Sequence, residues 1–179
     1  MPIDLADTRP LCAVYIGWHH SFALGERVAH RLYQHFRRDL FTNVAGGVGL
    51  SVLYRSANAP TCDSPAPVSF ADSHIAVVFL LVSAAMARDA SWREYVRTMI
   101  ADCESQGLTA RVIPVFLDGY GKDLVGDING IRYYEWSDAP ELVEIRLIST
   151  LTHELARMLR TYLASKAHPG VSGRELDAY

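Results

Sequence analysis

Apolar residues in this chain fall into two kinds of run. Leu11 to Gly17 (LCAVYIG) is short, apolar and partly β-branched, the pattern of a buried strand. From Ser21 to about Leu40 the period becomes four. Leu24, Val28, Leu32, Phe36 and Leu40 recur with Ala29 and Tyr33 beside them, and Arg27, Arg31, Gln34 and Arg37 fill the other side. That spacing predicts an amphipathic helix with Ser21 as its cap. Gly46-Gly47-Val48-Gly49 punctuates the chain before a second strand, Leu50 to Arg55 (LSVLYR). Ser56 to Asp72 then forms a long loop with prolines at 60, 65 and 67. Ile75 to Val82 (IAVVFLLV) is apolar throughout, as expected of a central strand covered on both faces.

A second helix is expected over Ser91 to Glu104, striped by Trp92, Tyr95, Val96, Met99, Ile100 and Cys103. Arg111 to Leu117 (RVIPVFL) predicts a fourth strand, placed near an edge or bulge because Pro114 lacks a donor. Ile131 to Trp136 predicts a short fifth strand. Asp138-Ala139-Pro140 opens a last helix to about Ser165. Strands alternating with helices predict a parallel α/β sheet with right-handed crossovers. In such sheets ligands bind outside the carboxyl ends of the strands. Four loops meet that rule: 18–25, 56–72, 83–94 and 118–127.

The 179 residues divide on this reading into an N-terminal lead (1–10), one α/β domain (11–166) and a polar tail or linker (167–179). Lys plus Arg is 17 and Asp plus Glu 20, a formal net charge of -3. A dedicated nucleic-acid binder would be basic, so no direct nucleic-acid partner is expected. Three cysteines, Cys12, Cys62 and Cys103, are odd in number and carry no CxxC. With no apolar segment after a basic start, they point to the reducing cytoplasm. The longest apolar run has eight residues, far below the ~20 of a membrane helix, so no membrane partner is expected.

Common nucleotide-binding signatures fail. The first strand ends in Trp18-His19-His20 instead of paired acids. No GxxxxGK[ST] occurs, and the GGVG at 46–49 precedes a strand instead of opening a helix. Another pattern fits better. VYIGWHHSFALGERVAHRL is a strand, a polar loop and a helix; GLSVLYR leads into a long loop; VVFLLVS ends in Ser and is followed by DASWREYV; VIPVFLD closes the series. In order and spacing this resembles the Toll/interleukin-1 receptor (TIR) domain, in a divergent bacterial group of defence and signalling proteins. The likeness covers roughly residues 11–165. It implies a flavodoxin-like three-layer sandwich with a five-stranded parallel sheet. It also implies either an NAD+ glycohydrolase switched on by self-assembly or a non-catalytic TIR-like interaction module. NAD+ would be substrate, with no cofactor. The partners implied are other copies through TIR–TIR contacts and a sensor domain or partner protein.

Catalytic TIR domains use one Glu on the helix after the third strand. The family's position, four residues after the Trp, is Val96 here. Glu94 is the carboxylate in the first turns and hence the catalytic candidate. A second reading stays open, because Ser91-Trp92-Arg93-Glu94 matches the S-x-x-E capping box. Nicotinamide on ribose is already a cationic leaving group, so one anion beside the developing oxocarbenium-like charge would suffice. Trp18 and Trp92 are the candidate aromatic walls, each also readable as core. His19, Ser21 and Ser83 are candidate hydrogen-bonding groups, and Arg55 a phosphate contact. Adjacent His19 and His20 lack a third ligand at metal spacing, so no metal is expected. No nucleophile–base–orienter set is legible along the chain, which disfavours a serine or cysteine hydrolase.

Overall fold

The computed structural model describes residues 9–40, 52–56, 65 and 67–167, with side chains at 9–37, 65 and 67–167. Strands β1 (Cys12–Trp18), β2 (Val52–Ser56), β3 (Ile75–Val82) and β4 (Ala110–Phe116) are joined by a two-residue β5 (Ile131–Arg132). All pairings are parallel, in the order β2-β1-β3-β4-β5. The sheet is therefore α/β and parallel, with four full strands. The expected fifth strand shrinks because Tyr133 to Glu135 tightens into a 3-10 turn that buries Tyr133. Pro114 pairs in register with Leu80, while β5 meets β4 only from Val115 onward. The proline thus sits where β4 is still an edge.

The helices are α1 (Ala23–Gln34), α2 (Ala84–Arg88), α3 (Ala90–Ser105), α4 (Lys122–Val125) and α5 (Pro140–Ala167). The period-four stripe of α1 continues through a π-helical segment, His35–Leu40. The short α2 lies inside what the sequence suggested was a plain loop. Strand parity sorts the core. Cys12, Val14 and Ile16 of β1, with Ile75, Val77, Phe79 and Leu81 of β3, face Val28, Leu32 and Phe36, and Leu147, Leu151 and Leu155 of α5. Ala13 and Tyr15, with Ala76, Val78, Leu80 and Val82, face Met86 of α2, Trp92, Val96 and Met99 of α3, and Val125 of α4. The result is three layers: α1 and α5, the sheet, then α2, α3 and α4. Glu144 of α5 meets Arg27 at 3.6 Å and Arg31 at 3.3 Å, joining the two helices of the first layer.

Gly121 shows where local geometry dictates residue type. Its φ is +80°, and a Cβ there would lie 2.7 Å from Val82 Cγ1. Only glycine lets the turn after β4 lie this close to the end of β3. The turn at 46–49, Cys62 and most of the 56–72 loop lie outside the described residues, as do the lead at 1–8 and the tail at 168–179.

Candidate functional site

Strand β1 ends with its side chains divided between the two faces. Trp18 packs on the α1/α5 core, with its Cβ beside Gly25. His19, one residue later, turns to the other face and lies 5.9 Å, centroid to centroid, from the Trp92 ring. The two tryptophans expected to wall one cleft therefore stand on opposite sides of the sheet. Trp92 is 1% exposed and meets Tyr95 edge to face; its surroundings are core.

His19 is 6% exposed and has a partner at each ring nitrogen. The Ser21 backbone N–H reaches Nδ1 at 3.2 Å, and an amide can only donate, so Nδ1 is the acceptor. The ring proton then sits on Nε2, which faces Asp89 Oδ2 at 3.2 Å. Ser21 Oγ lies 2.8 Å from the same Nδ1 and must be the donor there. Exposed His20 stacks on His19 at 4.6 Å. Ser21 does not cap α1. The N-cap is Phe22, with no side-chain hydrogen bond, because the serine hydroxyl is spent on His19.

Asp89 is the N-cap of α3, and its Oδ1 accepts from Ser91 N at 2.8 Å and Trp92 N at 3.2 Å. The Ser91–Glu94 capping box is thus displaced by two residues: the carboxylate two positions earlier takes the amides. Burial raises the Asp89 pKa, but hydrogen bonds from His19, Trp92 and Ser91 outweigh it, leaving the carboxyl below its ordinary range. Glu94 points elsewhere. Two residues beyond Trp92, it lies nearly opposite that side chain around the helix. It is 68% exposed and bonded to Arg97 at 2.7 Å. Arg97 lines an open groove of about 560 Å³ with Arg93, Ile100, Glu104 and Asp123, on the outer side of α3.

Ser83 is 1% exposed, and its Oγ accepts from Met86 N at 3.4 Å, capping α2. Asp118, after β4, accepts from Ala84 N at 2.9 Å and Tyr120 N at 3.2 Å, tying the β3 and β4 ends together. Arg55 pairs with Tyr15 in the β2–β1 register, and its side chain lies outside the described residues. Cys12 and Cys103 are buried free thiols; burial pushes Cys12 up to about 12 and raises Cys103, so neither is a ready nucleophile. Among the described residues no group of three His, Cys, Asp or Glu could hold a metal ion, and no helix is long and apolar enough to cross a membrane.

The structure thus brings together His19, Ser21 and Trp92 of the expected residues. It adds Asp89, and leaves Trp18 and Glu94 apart. A hydrogen-bonded Ser–His–Asp set exists where the linear sequence showed none. Its signals were the H-x-S at 19–21 and a second cap candidate, Asp89, just before Ser91. Comparisons with protein-family models, with curated proteins and with solved structures give no match.

Proposed function

We propose that this is a TIR-like domain of flavodoxin-like topology that cleaves the nicotinamide–ribose bond of NAD+. The observation that carries the reading is positional. With strands ordered β2-β1-β3-β4-β5, the topological switch point lies between β1 and β3, where α/β sheets bind their ligands. His19, Ser21 and Asp89 gather at the carboxyl end of that pair. Within this reading Asp89 supplies the anion beside the developing oxocarbenium-like charge. Its hydrogen bonds keep it ionised. With its proton given to His19, the oxygen of exposed Ser21 can still accept from a ribose hydroxyl. Glu94 takes the role the resemblance gives it only if assembly of copies draws it from Arg97. The cysteine usage fits the cytoplasm, and the resemblance sets such a domain in bacterial defence or signalling, with self-association as its trigger.

A second reading, a non-catalytic TIR-like interaction module, is favoured by the engagement of Glu94 with Arg97 on an exposed helix face. One assay separates them. Concentrated or crowded protein is incubated with NAD+ and nicotinamide release is measured for wild type, Asp89→Asn and Glu94→Gln. Release lost in Asp89→Asn and kept in Glu94→Gln supports the assignment. The reverse restores Glu94. Release that survives both substitutions overturns both carboxylates, and no release under any condition favours the interaction module.

A further inference from the structure

We infer that Ser21, His19 and Asp89 form an activated-serine set able to transfer small acyl groups, with short-chain carboxylic esters as the substrate class. This goes beyond NAD+ cleavage and does not depend on it. The contacts fit the neutral tautomer with its proton on Nε2. The Ser21 amide requires an acceptor at Nδ1, so the Ser21 hydroxyl, 2.8 Å away, donates to that same nitrogen. The Nε2 proton points to an Asp89 carboxylate at 3.2 Å, itself anchored by two helix amides. Nucleophile, base and orienter stand in hydrogen-bond order, with the two ring nitrogens exchanged relative to the serine-protease arrangement. Burial of His19 under His20 and against Trp92 keeps the ring from rotating away.

Ser21 itself is exposed, so an ester carbonyl can reach Oγ. The exposed imidazole of His20 stands beside it, and a small acyl group needs no further pocket to reach Oγ. In the first step Oγ bonds to the acyl carbon, its proton passes to Nδ1, and the longer amide contact at that nitrogen is given up. The alcohol leaves with the proton from Nδ1, and Ser21 holds the acyl group. Water then attacks the same carbon, gives its proton to Nδ1, and releases the carboxylic acid as the proton returns to Oγ. The balance is ester plus water to acid plus alcohol.

The test treats the full chain with a fluorophosphonate probe, maps the adduct by peptide mass spectrometry, and follows p-nitrophenyl acetate hydrolysis in parallel. Labelling of Ser21 is expected, together with ester turnover absent from Ser21→Ala. His19→Gln should slow labelling roughly a hundredfold, the loss of a general base. Asp89→Asn keeps a good N-cap residue and should still slow labelling by about tenfold or more, because an amide there favours the wrong imidazole tautomer. Circular dichroism melts of each variant report folding separately. An adduct at another serine, no adduct on folded wild type, or wild-type labelling of Asp89→Asn overturns the inference. No arm contains NAD+, so failure here and failure of NAD+ cleavage are read independently.

Discussion

The two faces of one sheet do different work. On one, α1 and the 28-residue α5 close over an apolar layer from Cys12 to Tyr162. On the other, the same strands end in a polar cluster held to the start of α3. The change of face occurs between Trp18 and His19, adjacent residues with opposite fates. Which side chains meet in this fold is set by strand parity and by which helix begins at the strand ends. A residue's type alone does not decide it, as the separation of Trp18 from Trp92 and of Asp89 from Glu94 makes plain.

Core truncation on either face should have the largest effect. Trp92→Ala is expected to cost about 3–5 kcal/mol and Leu151→Ala about 2–5 kcal/mol by denaturant unfolding. Only the first should also loosen His19, read as faster exchange of its ring proton. Equal effects on His19 would erase the distinction between the faces. Next comes Gly121→Ala, where a left-handed φ and contact with Val82 should cost about 1–3 kcal/mol.

Asp89 gives a smaller and pH-dependent effect. Asp89→Ala removes the cap and should cost ~1 kcal/mol, whereas Asp89→Asn keeps most of it. The folded carboxyl lies below its ordinary value. Its stabilising contribution is therefore whole above the unfolded-state pKa of about 3.9 and is lost as pH falls through the lower folded value. Wild type and Asp89→Asn should converge in stability toward acid; a gap that widens there would contradict the pairing with His19. The smallest effect belongs to Glu94→Gln, an exposed i,i+3 pair worth no more than ~0.5 kcal/mol. A larger loss would mean that Glu94 holds a partner other than Arg97.

Much of the fold was legible because buried parallel strands are unbroken apolar runs. Ile75 to Val82 is strand end to end, and the helix read as Ser91 to Glu104 spans Ala90–Ser105. The short pieces were not. The five residues of α2 carry no period, and β5 loses its latter half to a turn that buries Tyr133. The site was legible in part. His19 and Ser21 stand out after the first strand, but Asp89 is 70 residues from His19, and no periodicity links them. Two cap candidates, Asp89 and Ser91, competed at one helix start. Asp89 holds both amides there, its full negative charge complementing the helix dipole. That choice decides which carboxylate faces the strand ends.

The most direct test of a ligand site at the β1/β3 ends is a titration of the protein with NAD+, followed through histidine ring resonances by NMR. The His19 and His20 signals should move while those of His30 and His153, on α1 and α5, stay in place. Movement of the His30 or His153 signals with His19 and His20 unchanged would contradict the assignment.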